Sequence, residues 1–178
     1  MKKLIIIFLT IFLSIILAGI YGVIHNQLSY SISEEYFTKF KFKQFGFVEY
    51  GLNTPRLTSG VIGFWSTWWF GLLVGLIGSL ISVILFDISN FKKVIIGYIM
   101  RVFATTILFG FIGIIVGKLV LLNLNFNFSI PQEVVHKDNF TVAGSMHNFS
   151  YLGGLVGIIF GIIYQIKLKR NFQTVNNR

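Results

Sequence analysis

The sequence predicts an all-α integral membrane protein, a four-helix transmembrane bundle with a short interfacial helix in its first outer loop. Three observations carry that expectation. Hydrophobic residues make up 54% of the chain and charged residues 12%, about half the charged share of a soluble domain. Four stretches are long and apolar enough for a hydrocarbon core that needs about 20 helical residues. Glycines inside three of those stretches recur every fourth position, at Gly71 and Gly75, at Gly113 and Gly117, and at Gly153, Gly157 and Gly161. The same composition excludes disorder and a fibrous repeat, and the absence of cysteine excludes disulfides, thiolate metal sites and thiol redox chemistry. The 178 residues read as one membrane domain, 1–178.

The first span is expected over residues 4–24, uncharged and preceded by Lys2 and Lys3. It resembles a signal peptide with Ala18 and Gly19 near a cleavage position, but so long an apolar run favours an uncleaved anchor. The second span is expected over 61–86, with Trp65, Trp68 and Trp69 on one helix face, the residue type that anchors a span at an interface. A third begins after Lys92 and Lys93. Starting it at Val94 buries Arg101 about 10 Å deep, so the less costly version lays 91–100 along the surface and spans 102–122, with Arg101 reaching headgroups. The fourth covers 149–166 and ends at Lys167, Lys169 and Arg170. The outer loops are then 25–60 and 123–148.

Charge assigns the sides. With a cytoplasmic N-terminus, the inner segments hold Lys2, Lys3, Lys92, Lys93, Lys167, Lys169, Arg170 and Arg178 against Asp87, a balance of +7. The outer loops hold Lys39, Lys41, Lys43, Arg56 and Lys137 against Glu34, Glu35, Glu49, Glu133 and Asp138, a balance of zero. Arg101 and Lys118 supply the other two of the formal +9. The positive-inside rule puts both termini in the cytoplasm. The basic balance is thus an orientation signal and does not imply a nucleic-acid partner. The glycine stripes imply close helix packing, within the chain before a partner subunit or homo-oligomer.

Any chemistry belongs on the outer side, with all three histidines and five of the six acids. Ser31 or Ser33 before Glu34 and Glu35 has the form of an N-cap, predicting a short helix over 33–45 whose phenylalanines lie in the interface. His147 and Tyr151 share a helix face. His25, Glu35, Tyr36, His147, Asn148 and Tyr151 can therefore converge at the outer mouth of the bundle. Two imidazoles and a carboxylate, His25, His147 and Glu35, form a ligand set for a divalent transition metal such as zinc, copper or iron. The same groups suit general acid–base work on a lipid-phase substrate. The plainer reading is interfacial histidines that tie the loop to the helices, with His136 exposed. Phosphate-binding, nucleophile-elbow and dinucleotide motifs are absent.

Four blocks, His25-Asn26-Gln27, Glu35-Tyr36-Phe37-Thr38, Thr67-Trp68-Trp69-Phe70-Gly71 and His147-Asn148-Phe149-Ser150-Tyr151-Leu152-Gly153-Gly154, resemble those of an uncharacterised group of bacterial four-span inner-membrane proteins. That group often has Asp at the position of Asn26, so the resemblance argues against a charged ligand there, and often Pro at the position of Glu34. It implies a bacterial inner-membrane location and an outer-face constellation, and no activity. The expectation is a binding or accessory module acting through a periplasmic polar cluster, its contacts being the lipid bilayer and a membrane protein partner. The rival is a membrane-embedded or metal-dependent enzyme using the same cluster.

Overall fold

The computed structural model describes residues 2–124 and 130–176. The polar stretch 125–129 of the second loop and Arg178, counted above with the inner charges, lie outside the described residues. Four helices dominate, α1 (Lys2–Ile32), α4 (Pro55–Leu85), α5 (Ile88–Val116) and α6 (Lys137–Asn176), with two single-turn helices, α2 (Phe42–Phe45) and α3 (Val48–Gly51), between the first two long ones. Tyr36–Lys41 and Gly117–Leu121 are π-helical. All four long helices, the third taken through Leu121, are long and apolar enough to cross a membrane. The chain is an all-α membrane bundle.

Glycine decides which helices pair. A methyl group added to Gly71 would lie 2.7 Å from the Ala18 Cβ, one on Gly75 would lie 2.7 Å from the Ile11 Cα, and Gly22 and Gly63 face each other backbone to backbone. As the α4 number rises the α1 number falls, so the two helices form an antiparallel hairpin. α5 and α6 make a second: Gly113 meets the Ser145 carbonyl, Gly117 the Val142 Cα, Gly157 the Val102 Cα and Gly161 the Tyr98 ring. The expected stripes thus serve packing inside the chain. Such close approach matters in lipid, where van der Waals contact replaces the hydrophobic drive for helix association.

The seam between the two hairpins is aromatic and polar. Val74, Phe91, Ile95, Tyr98 and Val102 form one buried cluster, with Tyr98 lying over Gly78. Gln165 Nε2 donates to the Gly78 carbonyl at 3.2 Å and to Ser82 Oγ at 2.9 Å. Toward the other end Phe70 fills the space above Gly154. There Tyr21 donates to Ser150 Oγ at 3.4 Å, and His25 and Ser29 meet His147.

Two expectations need correction. Residues 91–100 do not lie separately along the surface, because α5 runs unbroken from Ile88. Phe91, Val94, Ile95, Tyr98 and Val102 form one helical stripe that is buried throughout, so turning the segment away would expose the aromatic half of the seam. Arg101 faces outward, and its guanidinium stacks 3.6 Å above the Tyr164 ring. Nor do the first-loop phenylalanines lie free in the interface. Phe37 and Phe42 are wholly buried, with Tyr30, Tyr36, Ile62, Val134, Phe140 and Ala143, in a cluster that closes one end of the bundle. The expected N-cap is Ser33, whose Oγ accepts the Tyr36 N–H at 3.2 Å. α1 reaches Ile32, beyond the expected boundary near Ile24, because its last turns have partners: Asn26 Nδ2 donates to the Ser59 carbonyl and Gln27 Nε2 to that of Arg56, both at 2.8 Å. Trp65, Trp68 and Trp69 face outward, while Thr67 among them turns inward and donates to the Ala18 carbonyl at 2.8 Å.

Candidate functional site

α1 presents Tyr21, His25 and Ser29 at four-residue intervals, one face of a helix. α6 presents His147, Ser150 and Tyr151 over adjoining turns. The two faces meet at the loop-bearing end of the seam. The His25 and His147 rings stand edge to face, centroids 4.6 Å apart and planes at 86°. Ser29 Oγ lies 2.9 Å from His147 Nε2, and the Tyr21 hydroxyl 3.3 Å from His25 Nδ1. His25 Nε2 is buried without a hydrogen-bond partner. Both histidines are under a tenth exposed, and Ser29 is fully buried.

The first loop lays its aromatic side chains over this pair. Tyr36 stacks on His147 with centroids 4.9 Å apart, Phe37 meets the same ring edge-on at 6.1 Å, and Phe140 packs against Tyr36 at 5.2 Å. Gly144 makes room for the Tyr36 ring, whose Cε2 is 3.5 Å from where a Cβ would sit. Burial, with the nearby Tyr151 hydroxyl adding to it, pushes the Tyr36 phenol well above its ordinary range, so Tyr36 is neutral. Lys41 lies over the rings of Phe40, Tyr36 and Phe45, at 5.2, 5.6 and 5.9 Å from their centroids, a cation–π arrangement. Burial pulls its ammonium below the usual lysine range.

Glu35 does not join the histidines. Its two carboxylate oxygens accept the backbone N–H groups of Val135 at 3.0 Å and His136 at 2.6 Å. These two bonds hold its carboxyl below the usual carboxylate range. A second tie, between Lys43 Nζ and Glu133 Oε1 at 3.0 Å, links the same loops. The set His25, His147 and Glu35 is therefore not assembled, and among the described residues no three His, Asp or Glu side chains are grouped to hold a metal ion. The reason is local: two free backbone N–H groups in the second loop offer the anion charge-assisted bonds. Tyr151 is near the pair, 6.3 Å ring to ring from His147, but half its surface is exposed; Asn148 is exposed, as is His136.

Sequence reasoning missed Ser29 and Tyr21, which hydrogen-bond His147 and His25, and Ser150, which accepts from Tyr21. The signal was available as the four-residue interval Tyr21, His25, Ser29. Chemically the arrangement offers a serine hydroxyl bonded to an imidazole, a second imidazole with one free buried nitrogen, and a neutral phenol, all roofed by aromatic side chains. Compared with protein-family models, curated proteins and solved structures, the chain matches none.

Proposed function

We propose that the chain is a multi-pass protein of the bacterial inner membrane, both termini cytoplasmic, that acts as a binding or accessory module through its periplasmic end. The charge balance across the spans supports that orientation, and the resemblance of the His-Asn-Gln, Glu-Tyr-Phe-Thr, Trp-Trp-Phe-Gly and His-Asn-Phe-Ser-Tyr blocks supports the location.

One observation carries the functional reading. The loops are braced into a roof, by Glu35 to Val135 and His136 and by Lys43 to Glu133, and that roof presents Tyr50 and Val135 about three-quarters exposed. A pre-ordered roof costs little further entropy when a partner docks. Tyr50 and Val135, held out on an end braced by one ion pair and one carboxylate–backbone clamp, are placed to meet a partner. The histidine pair beneath acts as the polar pin that fixes the roof to α1 and α6. The partner is another membrane protein with an outer-face segment.

A photo-crosslinking amino acid at Tyr50 or Val135, compared in cells with one at exposed Asn171 near the opposite end, tests this. A discrete membrane-protein adduct from both roof positions and not from Asn171 is the expected result. Adducts to lipid alone, or to the chain itself, overturn the partner reading.

The second reading is a membrane-embedded or metal-dependent enzyme. The close pairing of Ser29 Oγ with His147 Nε2 and the unpartnered His25 Nε2 favour it, since a nucleophile beside a base and a free imidazole nitrogen are the groups such chemistry uses. Elemental analysis of the purified chain and of His25→Ala tests the metal-dependent form of this reading. A stoichiometric transition metal lost in the variant supports the enzyme, and a metal-free wild type removes its metal-dependent form.

A further inference from the structure

The basic end of the bundle holds a groove that neither reading above uses. It is open to the outside of the bundle, has a volume of about 450 Å³, and is lined by Arg101 from α5 and by Phe160, Ile163, Tyr164 and Lys167 from α6. Gly97 lacks the Cβ that would strike the Tyr164 ring, so that ring lies flat against α5. Arg101, one turn further on, folds back over it at 3.6 Å and donates from Nη1 to the Gly97 carbonyl at 2.8 Å. That return is the natural one, since helical side chains lean toward the N-terminus. Here the N-terminus of α5 is the end with Lys92 and Lys93, eight residues or about 12 Å of helix away. The side chain therefore points its charge from the apolar belt toward the headgroups.

One of the five guanidinium N–H donors is used. Lys167 follows Tyr164 by three residues on the same face of α6, bringing a second cation to the groove. Phe160 and Ile163, each about half exposed, continue the lining toward the apolar run of α6. Two cations at one end and an apolar wall at the other match a molecule with an anionic head and an acyl tail, and a bare anion would leave the wall unused. The lining contains no acid. Basic pockets between spans on the positive side of a protein are a recognised seat for anionic headgroups.

We propose that this groove is a binding site for an anionic phospholipid, its phosphate held between Arg101 and Lys167 and an acyl chain against Phe160 and Ile163. Tyr164 is the positioning residue that aims Arg101.

The test is native mass spectrometry of the full chain in an uncharged detergent, with phosphatidylglycerol and phosphatidylcholine of identical acyl chains competing at equal concentration. The wild type should favour phosphatidylglycerol. About 1 kcal/mol per basic residue near the membrane surface corresponds to about a fivefold loss of that preference in Lys167→Gln and in Arg101→Gln. Lys118→Gln, beyond the other end of α5, should leave it unchanged, and Arg101→Lys, the variant that guards against a folding defect, should keep most of it. Absence of preference in the wild type, or its full survival in Arg101→Gln, overturns the proposal. Displacement by millimolar inorganic phosphate also overturns it, by making the site one for free anions.

Discussion

Adding one methyl group to Gly71 should damage the bundle, and adding one to Gly144 should not. At Gly71 the new carbon would lie 2.7 Å from the Ala18 Cβ and 2.8 Å from the Ile15 Cα. The second of these is backbone, so no rotamer change relieves both contacts. Carbon pairs are most favourable at about 3.5–4.0 Å, so α1 and α4 must part by about 1 Å. Along the hairpin, at Gly22 against Gly63 and at Gly75 against Ile11, a gap of that size forfeits about a quarter to a half of each contact's attraction. Overpacking costs about 1–3 kcal/mol, and exchanging glycine for alanine inside a helix returns at most about 1 kcal/mol. The net expectation for Gly71→Ala is a loss of about 1 kcal/mol, the middle of a range of about 0–2 kcal/mol. At Gly144 the nearest atom, Tyr36 Cε2, is at an ordinary 3.5 Å, so Gly144→Ala keeps the propensity gain, up to about 1 kcal/mol. The two variants should therefore stand about 2 kcal/mol apart, about 30-fold in unfolding equilibrium constant. Titration with sodium dodecyl sulfate in mixed micelles, followed by circular dichroism, measures that difference. Equal midpoints, or a greater loss at Gly144, would refute the assignment of α1 and α4 as a glycine-packed hairpin.

Two further predictions concern the roof. Glu35 is held below its ordinary titration range by the N–H groups of Val135 and His136, so its contribution is complete above the unfolded carboxylate value of about 4.3 and disappears as pH falls through the depressed folded value. Protection of residues 130–136 against hydrogen exchange, taken relative to the intrinsic rate at each pH, should fall on acidification through that window in the wild type, whereas Glu35→Gln should be less protected at neutral pH and respond less to acid; identical protection at neutral pH would argue against the clamp. Ser29→Ala leaves His147 Nε2 buried without its partner, which should cost about 1–3 kcal/mol; an unchanged unfolding midpoint would show that the 2.9 Å contact does not pin the roof.

The outline of the bundle was legible because lipid imposes severe rules on composition. Four apolar runs, basic flanks and glycine every fourth residue each follow from a local requirement, and each was found on the helix where it was expected. The expected boundaries fell short because hydropathy marks where a helix leaves the hydrocarbon, not where it ends. Asn26 and Gln27 read as loop residues, yet the carbonyls of Ser59 and Arg56 keep them helical. The candidate site divided along the same line. His25, Tyr36 and His147 converge, as a shared outer end and helical periodicity suggested, whereas Glu35 took the nearer backbone donors of the second loop.

The sequence by itself determined the helical class, the number of spans, and which helix faces are thin enough to touch, because these depend on side-chain volume and polarity at fixed helical spacing. Only the tertiary structure decided that α1 pairs with α4 and α5 with α6, that Ser29 rather than Glu35 is the partner of His147, and that Arg101 is folded over Tyr164 at the mouth of a groove. Those outcomes rest on contacts between residues 25 to more than 100 positions apart, from Gly117 with Val142 to Ser29 with His147. A hydrogen bond or a ring stack there depends on how two hairpins meet, a quantity that no local pattern of residues contains.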